Sequence, residues 1–554
     1  SKNRKKYLQG LELRETRGIR MNQAEIKRRQ AQAVAEIIAL VTLAVTARLT
    51  GYNGVAYVAV ALEVFGFFHT LVSGGVSDGL GRMLRIRNSK GQYRNADLMR
   101  RNVTVFQLVL GAVGTLAVMA AAGDIAEKLF RVQYSSFILL IIGPVVFLRS
   151  VSEVLVGFCK GEGAELPAAA AGILRQLLIL VFGMLFCKLL GGYGNKVSHL
   201  LVQENFASMY GGVGVAVGVT LAEVLVVVFL LLIYRGSRRR TVNKGLPDGM
   251  RITASFADSV RTLCVNRGIP MGIRLLVLFF LPVGLILFQG SAGDEDAAFL
   301  YGVYLAGYGM VCGICALLVT MTTIPVCGRT MAFLRREEHR FARTVFQSGV
   351  HISIAHTAFA AAFLTAMAKQ AAEVFCPGQE ELAAKMFRGG SFLIVPVVLS
   401  WYFGRTLMLA GKKILVLGAV SFADVIFLLA AAVLLKVGKA GILSLVYAGV
   451  MGGGVLCIVL GMLAYRQLRV RADWLQILVV PAAAACVSGF LGMLLAKVLS
   501  PHMSGFVTLL VCFVITAALY WAGLLLLRNF REQELEAIPG GRLINAVGQL
   551  LRVF

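Results

Sequence analysis

The sequence predicts an all-α polytopic membrane protein: two pseudo-symmetric six-helix bundles followed by two further transmembrane helices. Three observations predict it. The 554 residues are 58% hydrophobic and only 15% charged, whereas an ordinary soluble chain carries about 25% charged residues. The apolar residues gather in long runs, each near the ~20 residues that a membrane helix needs. Two segments of the first half recur in the second half at one spacing.

The runs lie near 28–49, 54–77, 102–122, 134–158, 167–190, 210–234, 264–289, 298–322, 344–367, 387–409, 412–435, 440–464, 474–497 and 503–527. The gaps between them alternate in charge. After even runs come GRMLRIRNSKGQYRNADLMRR, KGEGAE, YRGSRRRTVNK, RTMAFLRREEHRFAR, GKK and YRQLRVRAD. After odd runs come TGYNG, GDIAEKLFR, a polar loop from Lys196 to Glu204, GSAGDEDAA and KQAAEVFCPGQEE. Basic connectors stay on the cytoplasmic side of a bilayer. The pattern therefore predicts a bacterial-type cytoplasmic membrane protein with both termini inside. The net charge of +26 serves topology, and no nucleic-acid partner is expected. The cationic connector after run two carries Met83, Leu84, Ile86, Leu98 and Met99, which suits an interfacial segment against anionic membrane lipids. A solvated basic loop is the alternative.

The repeat is read in two places. Gly81-Arg82 and Gly328-Arg329 open similar connectors 247 residues apart. Gly163 and Gly411 sit 248 residues apart in short Gly/Lys turns between apolar runs. Equal spacing across even connectors predicts parallel repeats, related by an axis along the membrane normal. The expected division is a basic N-terminal segment 1–27, an N-lobe 28–234, a basic linker 235–263, a C-lobe 264–464, two helices in 465–527, and an amphipathic tail 528–554. No cleavable signal peptide is expected, because no apolar core closely follows the basic start. A cleft between two such lobes is where a transporter places its substrate.

The run from Ala47 to Leu84, with Arg48 before Gly51, Gly54 and Tyr57, resembles the first two helices of a known family. So do Gly157 to Leu177 and Arg405 to Ala419, as the turns between helices four and five and helices ten and eleven. The family is the polysaccharide and oligosaccharidyl-lipid exporters of the multidrug/oligosaccharidyl-lipid/polysaccharide flippase (MOP) superfamily, in its fourteen-helix branch of lipid II flippase-like and sporulation-protein-like members. The resemblance covers roughly residues 28 to 527. It implies a V of two bundles, alternating access, and export of a lipid-linked saccharide or polysaccharide precursor. In the lipid II flippases, arginines in helices one, two and eight serve the headgroup. Here no arginine lies deep in run two or run eight, which departs from that pattern.

Charged side chains inside a bilayer are costly and mark function. The candidate substrate-binding cations are Arg48, Arg149, Arg175, Arg267, Arg274 and Arg405, since guanidinium forks match phosphate. Arg267 and Arg405 also read as interfacial side chains, and Arg149 with Glu153 as an i,i+4 pair. The candidate cation-coupling acids are Glu36, Glu63, Glu153, Glu223 and Asp424, which would carry H+ or Na+; interhelical ion pairing is their other reading. Glu36 and Glu63 lack an i±4 partner. Asp78 is expected to pair with Arg82. Gly214 and Gly218 suit close helix packing. Pro144, Pro270, Pro282, Pro325 and Pro396 are bending points or packing features.

Ten cysteines show no metal spacing, Cys312 and Cys315 standing alone in an apolar run, and no disulfide framework is expected. His69, His351 and His356 are not spaced for a metal. No phosphate loop, nucleophile elbow or metalloprotease helix occurs, so neither a cofactor nor enzyme chemistry is expected. Besides the exporter, two functions stay open: a cation-coupled multidrug efflux transporter, and a non-catalytic membrane subunit of a polysaccharide synthase complex docked to a glycosyltransferase.

Overall fold

The computed structural model describes residues 2–202, 205–242, 255–289, 294–438, 440–470 and 475–530. Every regular element among them is helical. Thirteen helical segments are long and apolar enough to cross a membrane. The first, Ile26–Ser89, has 64 residues. As one helix it would reach ~96 Å, about three times the hydrocarbon layer. It crosses twice, because Gly51 interrupts it at φ 73° and ψ 177°, a region open to glycine.

Counting that segment twice gives the fourteen crossings that the apolar runs predict. Spans 1 and 2 are residues 26–50 and 52–73. Span 3 is Tyr93–Leu129, span 4 Ser135–Gly161, span 5 Glu165–Leu201, span 6 Asn205–Gly236 and span 7 Phe256–Gln289. Span 8 is Ala297–Arg335, span 9 His339–Ala366, span 10 Glu380–Leu409, span 11 Lys413–Lys436, span 12 Leu443–Leu468, span 13 Leu475–Leu499 and span 14 Gly505–Leu526. The helix of span 1 begins at Lys2, so the basic N-terminal segment runs directly into the membrane.

The expected repeat is visible in the turns. Gly163 and Gly411 both have left-handed backbone, at φ 81° and 83°. The helices that follow open at Glu165 and Lys413, again 248 residues apart. The other pair differs. After span 2 a separate interfacial helix, Val76–Ser89, follows Gly75 at φ 76°. Span 8 instead continues straight through Gly328 to Arg335. The position 247 residues after Gly75 is Thr322, which has no such conformational freedom.

One further expectation changes. The polar stretch from Lys196 is helical as far as Leu201. Span 5 can extend there because Gly194 lies against Ala207 and Tyr210 of span 6, where a Cβ would meet them at 3.0 and 2.8 Å. The amphipathic tail beyond residue 530 and residues 243–254 of the basic linker lie outside the described residues.

The hydrophobic core shows how the bundles meet. The face that carries the odd connectors, called the acidic face below, has one continuous core. It takes Val58, Ile138 and Ala216 from the first bundle and Tyr301, Phe387 and Val446 from the second. Toward the opposite, basic face that core divides. Leu80, Met99 and Phe158 form one cluster, while Phe346, Tyr402 and Leu460 form another. The lobes are thus fused at the acidic face and separate at the basic face. Span 7 runs between them, with Leu263 in the first cluster and Ile273 in the second. Spans 13 and 14 pack on span 9 through Ala485, Tyr520 and Leu524.

Candidate substrate-transport site

Three helices of the first lobe converge on one carboxylate. Glu223 of span 6 has a side chain only 1% exposed. Arg175 of span 5 donates to it through Nε at 2.7 Å and Nη2 at 3.1 Å, a bidentate fork. Arg149 of span 4 approaches it at 2.9 Å, and Ser152 donates at 2.9 Å. Arg149 also lies 6.0 Å from the Phe65 ring centre, and Phe65 stacks on His69. Two guanidiniums share this acid inside the lobe, and Glu153 acts on both electrostatically from farther away.

Glu153 is not the partner of Arg149. It turns instead toward Ser77 and Lys160, on the basic side. The reason is register: Glu223 offers Arg149 a carboxylate already oriented by Arg175 and Ser152. Asp78 likewise does not pair with Arg82. It takes Lys160 at 2.8 Å, Arg28 at 3.5 Å and Arg274 at 3.9 Å, partners from three other spans. Arg28 also reaches Glu165 at 3.2 Å, and Arg85 meets Glu165 at 3.0 Å. This lattice ties spans 1, 4, 5 and 7 to the interfacial helix.

The second convergence lies between the lobes. Glu63 of span 2 accepts a hydrogen bond from the hydroxyl of Tyr301 on span 8. Tyr301 is fully buried and begins a ladder with Tyr304 and Tyr308. The helix widens to π geometry over Tyr304–Gly309, a feature frequent at functional sites. One side of the same seam is sealed nearby by Tyr52, whose hydroxyl donates to the Pro377 carbonyl at 3.3 Å. Gly302 lies against the Tyr52 carbonyl. Charge-based reasoning from sequence misses these tyrosines, although their i, i+3, i+7 spacing within one apolar run is a signal that could find them.

The remaining candidates scatter. Arg267 donates to the Val72 carbonyl at 2.8 Å, pinning span 7 to the end of span 2. Arg274 is more than half exposed. Arg48 is exposed next to Gly51, and Arg405 is half-buried. Glu36 is exposed one turn from Leu40, which packs on Gly313 of span 8. Glu36 and Leu40 share one face of span 1. Asp424 of span 11 is 6% exposed, and neither of its oxygens meets a donor among the described residues. Leu417 and Phe427 on its helix contact Gly272 and Gly284 of span 7. No cluster of three metal-ligating side chains occurs among the described residues.

The arrangement is one of two lobes joined at one face, each with buried ionisable groups. An inward-facing MATE family multidrug resistance transporter of the MOP superfamily superposes with a TM-score of 0.59, over 80% of this chain and 98% of that one, at 15% identity. The fold is that of the MOP-superfamily transporters. A second structure with the MOP fold, a transporter from Pyrococcus furiosus described as having a binding pocket of reversed polarity, superposes at 0.58 over 81% of this chain and 96% of that one, at 16% identity. In sequence, 152 residues are 26% identical to Stage V sporulation protein B of Bacillus subtilis (strain 168). That match takes in 27% of this chain and 29% of the relative. No family model matches the chain.

Proposed function

We propose that this protein is a flippase that moves an anionic, lipid-linked saccharide or polysaccharide precursor across the cytoplasmic membrane by alternating access. The basic face is the cytoplasmic one, with both termini there. The observation that carries the reading is the divided core: the lobes part at the basic face and close at the acidic face, as an inward-open carrier requires. Arg149 and Arg175 are guanidiniums buried in the first lobe, the donor type that matches an anionic headgroup. The partial likeness to a sporulation protein agrees with the branch that the sequence resembles. The chain acts as a carrier and not as an enzyme. Glu36, Glu63 and Asp424 are the acids we assign to coupling transport to H+ or Na+: Glu36 shares a helix face with Leu40, which meets span 8, Glu63 meets Tyr301 at the lobe seam, and Asp424 lies on a helix that packs on span 7.

The test is reconstitution in liposomes loaded with fluorescent polyprenyl-diphosphate saccharides. The expected result is protein-dependent loss of inner-leaflet label under a proton or sodium gradient. No translocation of any such lipid, in either gradient, sinks the proposal. A second reading, cation-coupled efflux of amphipathic compounds, is favoured by Asp424, a buried acid without a donor, and by the multidrug transporters among the similar folds. Efflux of ethidium by the same liposomes, with no lipid movement, would select it.

A further inference from the structure

The end of span 14 is fastened to span 9 by two residues beyond its helix. That helix stops at Leu526, and Arg528 turns the chain with left-handed backbone at φ 49°. Asn529 and Phe530, which follow, are both buried. Asn529 Nδ2 donates to Nε2 of His351 on span 9 at 2.9 Å. The Phe530 ring stacks on the same imidazole with ring centres 4.2 Å apart, and it meets Trp521 at 5.9 Å. Val345 and Ile352 of span 9 belong to the same apolar cluster as Phe530. The tail that follows Phe530 therefore starts from a fixed point beside span 9.

Span 9 is cationic between that point and its basic end. Arg343 stands eight residues before His351, ~12 Å along the helix, and Arg340 eleven residues before it, ~16 Å. Eleven residues make about three turns, so Arg340 shares the helix face of His351. Arg340 is exposed. Arg343 is half-buried, and its Nε meets no hydrogen-bond partner among the described residues. Arg335 and Arg336 stand exposed just before, and the connector's acids are Glu337 and Glu338, which leaves it net positive. The sequence after Phe530 has the opposite sign. It reads REQELEA, with Arg531 followed by Glu532, Glu534 and Glu536. Alternate residues share one side of an extended chain. Six extended residues reach up to ~20 Å, enough to carry the three carboxylates past Arg343 to Arg340.

We propose that the basic entrance of span 9 is a docking surface for this chain's own tail, with Arg340 and Arg343 holding the glutamates of residues 532–536. The proposal goes beyond the transport reading and does not rest on it. Asn529 and Phe530 anchor the tail, and so short a tether keeps the carboxylates at high local concentration beside the arginines. A charge-assisted bond from Arg343 satisfies the Nε that the packed helices leave without a partner. The docked tail ties the end of span 14 to the start of span 9 and lowers the positive charge of the second lobe at the basic face.

The experiment is disulfide cross-linking of the full chain in native membranes, between Ala537→Cys in the tail and Thr344→Cys on span 9. Thr344 is exposed, and its hydroxyl bonds to the Arg340 carbonyl of its own helix. Mass spectrometry identifies the bridged peptides, which keeps the native cysteines out of the reading. A rapid bridge within one chain is expected. Glu532→Gln, Glu534→Gln and Glu536→Gln together should slow it about tenfold. Salt at about 0.5 M, which screens exposed pairs, should do the same, as should Arg340→Gln with Arg343→Gln. Ile86→Cys, exposed on the interfacial helix of the first lobe, should bridge to the tail far more slowly. No bridge to Thr344→Cys overturns the proposal. So does a bridge whose rate ignores both the glutamates and the arginines, since the tether alone then accounts for it. Equal bridging to Ile86→Cys overturns it too, as does a bridge between two chains, which would put the tail on a second copy. Arg340 is exposed, so Arg340→Gln alone decides the arginine arm if the pair does not fold.

Discussion

Glu223 holds two guanidiniums that have no other carboxylate within bonding distance among the described residues. Glu223→Gln keeps its shape and removes its charge. Both arginines then lose their bonded carboxylate and keep only the more distant Glu153; breaking a buried pair typically costs about 3–5 kcal/mol. The expected outcome is a large fall in melting temperature in detergent, and an unchanged melt would mean that water or lipid already screens the pair. Asp424 is the opposite case. Its oxygens meet no donor among the described residues, so Asp424→Asn leaves no partner stranded. The fold should melt at wild-type temperature or above, while transport, under the proposed coupling, loses its dependence on the ion gradient. Sequence reasoning can single out these residues because charge inside an apolar run is conspicuous. It cannot say which are satisfied. Glu153 and Glu223 look alike in sequence, and only the register of spans 4, 5 and 6 gives both arginines to Glu223.

At the scale of elements, glycine decides how near two helices come. The Gly214 and Gly218 pair is legible from its i,i+4 spacing, and the structure shows its use. A Cβ at Gly218 would lie 2.4 Å from the Gly183 backbone of span 5, and one at Gly214 would lie 2.4 Å from the Phe186 carbonyl. Backbone cannot yield as a side-chain tip can, so Gly218→Leu must push span 6 away from span 5. Overpacking of this kind costs typically 1–3 kcal/mol, and the displaced span carries Glu223 out of reach of Arg175. The variant is expected to melt earlier, and adding Glu223→Gln to it should lower the melting temperature little further. Fully additive losses in the double variant would instead show that the two effects are independent. The prolines are less legible. Pro144 and Pro396 fall at or beside helix starts, where a missing N–H costs little. Pro270 and Pro282 lie inside span 7, whose ends belong to different clusters. Hydropathy sees all four as interruptions of an apolar run.

For the whole molecule the decisive feature is the asymmetry between a fused acidic face and a divided basic face. Sequence periodicity announces two like bundles, since it counts helices and finds repeats. It cannot announce which end is closed, because the closing contacts join residues hundreds of positions apart: Tyr52 with Pro377, and Glu63 with Tyr301. The proposed alternating access requires those contacts to break when the cleft opens outward. Tyr301→Phe removes one hydrogen bond of the seam and leaves the ring in place. Interhelical hydrogen bonds in membranes contribute about 0.6–1.7 kcal/mol, so the equilibrium should move roughly 3- to 20-fold toward the outward-open state. Gly302→Val acts in the same direction by steric force, since a Cβ there would overlap the Tyr52 carbonyl. Spin labels at Arg48 and Lys385, one on each lobe near the acidic face, would report the change as a longer-distance population. The two variants should agree, Gly302→Val more strongly, because the seam opposes opening through packing as well as through one bond. If both leave the distances unaltered, the seam is not the gate, and the rocking of the lobes must be governed from the basic face instead.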